Sequence, residues 1–241
     1  MVNDNRSIQS VERAMKVLEV IADAGGEMRL IDISIKLALH KSTLHGLLNT
    51  LAALGYVTRT DDGYALGLRL RKLSQPLADA DQRMRIQFSS SLLALAKLTK
   101  ETCYLAIPGG TRNFLCIDAL NGDGTPAIHP GIRRWNLTNS ALGRILLAYD
   151  CSLVKTLRRS DQISQELERK LQEIIDQGYA LDLEEAEPNL NCLALPLRKN
   201  GRVVAAIAAA GPVDRMNLTA MKEFAKQAMQ SEVIYSSPLK I

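Results

Sequence analysis

Residues 30–64, LIDISIKLALHKSTLHGLLNTLAALGYVTRTDDGY, constrain the fold of this chain more than any other stretch. Leucines recur at spacings of three and four residues, so they form one apolar stripe on a predicted helix. These leucines are Leu44, Leu47, Leu48, Leu51 and Leu54. The opposite face carries Lys41, Ser42, His45 and Asn49. Such a helix fits the DNA major groove, about 12 Å wide. Periodicity alone favours an ordinary amphipathic surface helix, so the flanking segments must decide.

The flanking residues complete a winged helix-turn-helix of three helices and a β-hairpin. A first helix is predicted from about Val11 to Gly25-Gly26, because glycine takes the left-handed conformation that ends helices. Its predicted N-caps are Ser7 and Ser10, and its predicted inward stripe is Val11, Ala14, Leu18 and Ile21. A short second helix precedes a turn at 38–40, and strands are predicted at 56–60 and 63–66. In this architecture one helix enters the major groove and the hairpin tip reaches a flanking phosphate.

The candidate DNA-contacting side chains lie at the start of the predicted recognition helix, along its polar face and in the wing. They are His40, Lys41, Ser42, Thr43, His45, Asn49 and Arg59. Arg59 is the predicted wing cation, and a solvated strand charge is the alternative interpretation. Basic residues barely outnumber acidic ones in this segment. Affinity must therefore come from placed contacts and two-fold symmetry rather than from a strongly basic field.

Composition limits the other classes of protein. The 241 residues suffice for two modest domains, and a net charge of +4 is compatible with DNA binding without requiring it. Aromatic residues are only 4% of the chain, which argues against a single-strand binder that stacks bases on rings. No apolar run approaches the roughly 18 residues of a membrane span, and the N-terminus lacks the apolar core of a secretory signal. We therefore expect a cytoplasmic protein without a membrane partner.

The cysteines and histidines do not form a metal-binding pattern. The four cysteines are Cys103, Cys116, Cys151 and Cys192, and none of their spacings is C-x-x-C. With only three scattered histidines, the sequence carries no zinc signature. We expect reduced thiols, no metal and no cofactor.

The remaining sequence predicts a linker helix and an α+β domain. We expect domains at 1–73 and 88–241, joined by a linker helix at 74–87 that starts near Pro76, since proline is tolerated in a first helical turn. A basic run beside it, Arg69 to Lys72, could contact the phosphate backbone of DNA, but a solvated face is the favoured interpretation. Strands are predicted at 103–107, 113–120, 132–137, 179–183, 192–198 and 203–210, and helices at 88–100, 140–149, 164–177 and 218–233. Strands in two groups with helices between them favour a central antiparallel sheet.

Several motifs resemble the IclR family of bacterial transcriptional regulators. They are SVERA (10–14), KSTLH-x-LL-x-TL-x-x-x-GYV (41–57), GY-x-LG (63–67), ALGRILLA (141–148), GYALDLEE (178–185), NCLALPL (191–197) and VAAIAAAGP (204–212). The resemblance covers nearly the whole chain. It implies a winged helix-turn-helix joined by a linker helix to a GAF-like effector-binding and oligomerisation domain. It also implies a regulator, more often a repressor, whose dimers or tetramers bind a palindromic operator in double-stranded DNA under the control of an organic acid or sugar-derived metabolite.

Three positions depart from the family pattern. Gly46 stands where the family usually has arginine after the recognition-helix histidine, Ala38 replaces the turn glycine, and Asn189 replaces a glycine before a strand. Glycine inside a helix costs roughly 0.5–1 kcal/mol relative to alanine, and this one removes a donor fork suited to guanine or phosphate. We expect an altered operator preference or a lower unassisted DNA affinity. Asparagine tolerates the left-handed conformation, so the turn at 189 should survive.

The resemblance also implies the residues of an effector pocket. They are Trp135, Asn136, Ser140, Ala141, Asp182, Cys192, Ala208 and Ala210. In several relatives the last two positions are serines that bond a carboxylate, so this chain should accept an effector that is larger, less polar or held differently. Backbone N–H groups and the Ser140 hydroxyl remain available for a carboxylate. Without the family resemblance, the alternative interpretation of Cys192 is a small, buried apolar residue. Asp182 would belong to an exposed acidic turn, and Trp135 would be a core residue.

Two other functions compete with the regulator. One is a cysteine-dependent enzyme with Cys192 as nucleophile and His129 as base, but nothing in the sequence places these two residues together. The other is a scaffold whose helix-turn-helix binds proteins instead of DNA, which the glycine at position 46 keeps open.

Overall fold

The structure is a computed structural model that describes residues 8–109, 113–127, 134–159 and 163–235, except the side chains of 134–136 and 235. The chain divides between Ala80 and Asp81 into two compact units, here called the N-terminal unit and the C-terminal unit. The predicted domain boundaries at 73 and 87 stay predictions.

The N-terminal unit is a winged helix-turn-helix, as predicted. Its elements are α1 (Gln9–Asp23), β1 (Glu27–Met28), α2 (Leu30–Leu37), α3 (Lys41–Ala53), β2 (Val57–Arg59) and β3 (Tyr64–Leu66). The sequence analysis missed β1, which pairs with β3, so the wing is an antiparallel sheet in the order β1-β3-β2. The core of the unit comprises Val17, Ile21, Ile33, Leu44, Leu48, Leu51, Val57 and Tyr64.

The predicted inward stripe of α1 was wrong at Val11, whereas Ala14 and Leu18 pack half-buried against the core and Ile21 lies in it. Val11 is 54% exposed, whereas Val17, Val20 and Ile21 are the buried residues of the helix. The helix carries two apolar stripes, and periodicity alone cannot select the one that packs. The capping prediction also failed, because Ile8 is the N-cap residue and Ser10 lies inside the helix. Ser7 lies outside the described residues.

The two helices of the helix-turn-helix meet as predicted. Ala38 ends α2 in the left-handed conformation, with φ of 51°, so a non-glycine residue holds the turn. The recognition helix α3 buries Leu44, Leu48 and Leu51. Leu54 is the exception to its predicted stripe, since it is the C-cap residue and remains 47% exposed.

A single helix, α4 (Arg69–Thr99), replaces the predicted basic run, linker helix and sheet-covering helix. Pro76 lies inside α4 and does not start it. Proline removes one backbone donor, yet the leucine, arginine, lysine, glutamine and alanine residues around it are strong helix formers. The buried residues of α4 cluster in its last third, from Phe88 to Thr99, which agrees with the predicted apolar stripe.

The C-terminal unit is an α+β domain, as predicted. Its further elements are β4 (Thr102–Pro108), β5 (Asn113–Leu120), β6 (Arg134–Asn136), α5 (Ala141–Ala148), α6 (Cys151–Arg159), α7 (Gln165–Gln177), β7 (Ala180–Leu183), β8 (Leu190–Lys199), β9 (Arg202–Pro212), α8 (Leu218–Gln230) and α9 (Glu232–Tyr235). Within the described residues the strands form a six-stranded sheet in the order β6-β5-β4-β9-β8-β7. Every neighbouring pair in this sheet is antiparallel. The sequence analysis missed α6.

Helices cover both faces of this sheet. One face packs against α5, α6 and α7, through alanines such as Ala194 and Ala208 that let α5 approach closely. The other face packs larger side chains, including Leu195 and Ile207, against α4 and α8. Every residue of α5 is buried, so this short helix lies entirely inside the unit.

Two asparagines hold turns of the sheet in the left-handed conformation. Asn189, which replaces the family glycine, has φ of 62°, so the prediction that this turn survives is confirmed. Its backbone N–H donates to a carboxylate oxygen of Glu184 at 3.0 Å. Asn200 and Gly201, with φ of 51° and 77°, form the predicted hairpin turn between β8 and β9.

Candidate functional site

The exposed face of α3 carries the predicted DNA-contacting residues. The predicted residues His40, Lys41, Ser42, Thr43, His45 and Asn49 are all exposed. On the opposite side of the helix Leu44 and Leu48 have no exposed surface. The leucines therefore fix the orientation of α3, and hydrogen-bonding groups of short and medium reach face outward.

The wing arginine is bonded to the recognition helix. Arg59 Nη2 donates to Asn49 Oδ1 at 2.5 Å, and its guanidinium carbon lies 5.9 Å from the ring centre of Tyr64. This contact joins two predicted DNA-binding residues from separate elements. Because the Asn49 oxygen accepts this bond, its amide nitrogen presents the donors of that side chain. Arg59 is exposed, so a solvated strand charge stays the alternative interpretation of this residue.

Gly46 lies at the centre of the same face, one turn from Ser42 and from Asn49. A Cβ atom built at Gly46 meets nothing within 4 Å, and the Gly46 carbonyl accepts a hydrogen bond from Thr50 Oγ1 at 2.9 Å. The position where the family usually has arginine is therefore open space rather than a site of close packing.

In the C-terminal unit, predicted effector residues form a row across the sheet. Asp182 pairs with Cys192, and Cys192 pairs with Ala210. Directly paired residues of antiparallel strands share one face, and Ala208 shares it because side chains alternate along β9. Ser140 caps α5 over this face, accepting a bond from the Gly143 N–H at 3.2 Å.

Trp135 and Asn136 lie elsewhere in the sheet. Both residues belong to β6, at the edge opposite to β7, which carries Asp182. Their side chains are outside the described part of the chain. The sheet therefore does not place these two residues beside Asp182.

Asp182 holds the loop that follows β7. The residue is only 2% exposed, which excludes the exposed acidic turn considered from the sequence. One carboxylate oxygen accepts bonds from the N–H groups of Glu185 at 2.8 Å and Ala186 at 3.3 Å. Burial raises the pKa of the Asp182 carboxyl group, although these bonds and the charge of Arg144 oppose the rise.

Arg144 is a site residue that the sequence analysis missed. It is only 2% exposed, and its guanidinium bonds the carbonyl of Leu181 at 3.4 Å and both oxygens of Glu185 at 3.2 and 3.3 Å. Lys170 Nζ also bonds Glu185, at 3.0 Å. Burial works to raise the pKa of Glu185, but Lys170 and Arg144 together lower it. A charged residue inside the apolar run ALGRILLA was the available signal.

A cavity of about 510 Å³ opens beside this ionic cluster. Its polar lining consists of Thr138, Asn139, Ser164, Glu166, Lys170 and Glu185. It adjoins the predicted effector set, since Asn139 precedes Ser140 and the Glu185 N–H bonds Asp182. None of the predicted effector residues with described side chains lines it.

Burial raises the pKa of each cysteine thiol of the sheet. The pKa of Cys103 and of Cys116 rises to about 12, and burial also raises the pKa of Cys192. Cys192 is half-buried and Cys151 is exposed.

In the described segments, no three histidine, cysteine or acidic side chains are placed to hold a metal ion. None of the helices described is both long and apolar enough to span a bilayer.

The sequence of the chain is similar to known protein families in both of its units. Residues 10–61 match the IclR helix-turn-helix domain, and residues 80–232 match the domain described as bacterial transcriptional regulator IclR C-terminal. The HTH-type transcriptional regulator XynR of Escherichia coli K12 is 30% identical over 96% of this chain and 97% of its own length.

Solved structures share the fold. An IclR family regulator from Brucella abortus superposes with a TM-score of 0.70 at 20% identity, over 97% of this chain and 92% of its own. An IclR homologue from Microbacterium hydrocarbonoxydans, solved with 4-hydroxybenzoate, gives a TM-score of 0.69 at 21% identity, over 95% and 98% of the two chains.

A winged helix-turn-helix followed by an α+β effector-binding domain defines a class of one-component regulators that bind DNA and sense a small molecule. Two domain matches, and a relative that matches along nearly the whole of both chains, narrow this class to one family. The chain belongs to the IclR family of bacterial transcriptional regulators.

Proposed function

We propose that this regulator is a cytoplasmic repressor that binds a palindromic operator through α3 and the wing, and that a small-molecule effector controls its affinity. The observation that carries the proposal is the outward face of α3 with the wing arginine bonded to it through Asn49. Donors held in one orientation can read base edges with few charges. The proposed contact residues are the predicted set from His40 to Asn49, with Arg59.

We propose that the protein binds its operator as a dimer or as a pair of dimers. One copy presents one recognition helix and reads one half-site, whereas two-fold related copies read a palindrome. A second observation in the N-terminal unit supports self-association. An apolar groove of about 510 Å³ is lined by residues of α1, α3 and α4, among them Val11, Met15, Leu54 and Leu73, which are more than 45% exposed. Exposed apolar surface of this kind is typical of protein–protein contacts.

We propose that the effector is a small organic molecule bound between α5 and the β7–β8–β9 part of the sheet. Supporting residues are Ser140, Ala141, Asp182, Cys192, Ala208 and Ala210, which lie on adjoining elements. A relative of the same fold binds 4-hydroxybenzoate, which is an organic acid. Alanines at 208 and 210 offer no hydroxyl, so the polar contacts must come from other groups.

The first experiment is footprinting of the full-length protein on the DNA upstream of its own gene at two salt concentrations. We expect a protected palindrome with a steep salt dependence. Lys41→Ala should weaken binding to all sequences and lower the salt slope by about one, because the proposal assigns a phosphate contact to this exposed lysine at the start of α3. Lys155→Ala, a cation of the C-terminal unit, is the matched control. A slope unchanged by Lys41→Ala would remove Lys41 from the interface.

The cysteine enzyme is disfavoured by the state of Cys192. A catalytic thiol needs a lowered pKa, whereas burial raises that of Cys192, and His129 lies outside the described residues. We expect a thiol-alkylating reagent at neutral pH to label exposed Cys151 well before Cys192, as followed by mass spectrometry of peptides. Faster labelling of Cys192 would contradict this expectation and reopen the enzyme hypothesis. No described contact favours the protein-binding scaffold.

A further inference from the structure

Arg144 has a buried guanidinium group whose hydrogen bonds are long. Its bonds to Glu185, to the Leu181 carbonyl and to the Asn139 carbonyl measure 3.2–3.5 Å. Charge-assisted N–H···O bonds are usually about 2.7–2.9 Å long. Its Nε atom is buried and has no hydrogen-bond partner among the described residues. Burying a charge is costly unless its donors are satisfied, so this site favours a better acceptor.

Glu185 now occupies the position beside Arg144 that a better acceptor would take. Its two carboxylate oxygens face two nitrogens of Arg144, which is the geometry of a bidentate pair, and Lys170 bonds it from the other side. The side chain is nevertheless 41% exposed at the wall of the cavity, so it can turn into water at little cost. Lys170 is already shared with Glu166 at 3.3 Å.

We propose that the cavity beside Glu185 binds a small carboxylic acid, whose carboxylate displaces that of Glu185 from Arg144 and Lys170. The inference rests on the proposed effector function, and it places the acid in the cavity that adjoins the row of Asp182, Cys192 and Ala210 rather than on that row. A planar carboxylate matches the guanidinium fork, and an incoming anion keeps the charge balance when Glu185 leaves.

A movement of Glu185 would be transmitted to the sheet by the hydrogen bond between its backbone N–H and the Asp182 carboxylate. The Glu185 N–H bonds Asp182, which is paired with Cys192 in the row across the sheet. An acid that moves Glu185 therefore acts on the loop held by Asp182. A ligand shifts a conformational equilibrium only when it binds the two states unequally, and competition with Glu185 supplies such a difference.

The test uses calorimetry on the full-length protein with three acids and their neutral amides. The pairs are acetate and acetamide, benzoate and benzamide, and 4-hydroxybenzoate and 4-hydroxybenzamide. Glu185→Gln removes the internal competitor, so at least one acid should bind roughly tenfold more tightly than to the wild-type protein. The control is Glu173→Gln, which removes one carboxylate from α7. Glu173 pairs with Arg169 and does not line the cavity, so this variant should change affinity less than twofold.

A second measurement follows the Arg144 donor itself. The ¹⁵N–¹H resonance of Arg144 Nε, assigned by its loss in Arg144→Lys, should shift on titration with the bound acid and not with its amide. Equal binding of acids and amides, no gain in Glu185→Gln, or no acid binding at millimolar concentration would each overturn the proposal. Footprinting of the same samples separates the two hypotheses, since operator protection would persist if only the acid site is wrong.

Discussion

Replacing Gly46 with arginine is expected to tighten operator binding by roughly tenfold to a hundredfold. A bidentate arginine–guanine pair contributes about 1–3 kcal/mol of discrimination, and α3 already faces outward at this position. Space is available, because a Cβ atom at Gly46 meets nothing within 4 Å. Titration of the operator and of a scrambled duplex, followed by fluorescence anisotropy, measures affinity and sequence preference together.

Gly46→Ala separates the two effects of the glycine. Alanine removes the helix penalty of roughly 0.5–1 kcal/mol without supplying a donor. If the missing guanidinium matters, the alanine variant should bind DNA within about threefold of the wild-type protein, since helix propensity alone contributes under 1 kcal/mol. Unchanged affinity and sequence preference in Gly46→Arg would show that the departure from the family pattern has no effect on recognition.

Local patterns predicted most of the fold because they report a single, strong physical preference. The leucine stripe of α3 fixed which face is buried, and Gly178 ends α7 in the left-handed conformation with φ of 83°. The asparagine at 189 held its turn for the same backbone reason as the glycine it replaces. In each case a short local pattern, either a repeated leucine or one residue that tolerates the left-handed conformation, is sufficient to favour the observed geometry.

The errors occurred where two local solutions were close in energy. Val11 and Val17 both lie on apolar stripes of α1, and only the packing of Val17 into the core of the unit decides between them. Proline is common in the first turn of a helix, yet the residues on both sides of Pro76 are strong helix formers, so the helix continues through it. Such choices depend on tertiary contacts that a local pattern does not contain.

The candidate effector site shows the same limit. Register brings Asp182, Cys192 and Ala210 into one row, as the family resemblance led us to expect. Arg144 was missed because its partner Glu185 is 41 positions further along the chain. Spacing rules for helices and strands reach only a few residues, so an ion pair between α5 and a distant loop leaves no local signal beyond a charge in an apolar run.

Gly143→Ala is expected to destabilise the C-terminal unit by about 3 kcal/mol, at the upper end of overpacking effects. In a helix, alanine is intrinsically better than glycine by about 1 kcal/mol. At this position a Cβ atom would lie 2.5 Å from the Leu137 carbonyl oxygen and 2.6 Å from its Cα. Backbone atoms cannot turn aside as a flexible side chain can, and α5 is buried on every side. The steric cost therefore outweighs the gain in helix propensity.

The same substitution at Gly46 is the internal control, with the opposite expected sign. Gly46→Ala meets open space and should stabilise the N-terminal unit by about 0.5–1 kcal/mol. Urea unfolding followed by the fluorescence of Trp135, the one tryptophan of the chain, reports on the C-terminal unit, and far-ultraviolet circular dichroism reports on both. Full stability in Gly143→Ala would mean that α5 can move away from Leu137. In that case the close approach of Gly143 to the Leu137 backbone would not be needed to hold Ser140, the N-cap residue of α5, over the row of Asp182, Cys192 and Ala210.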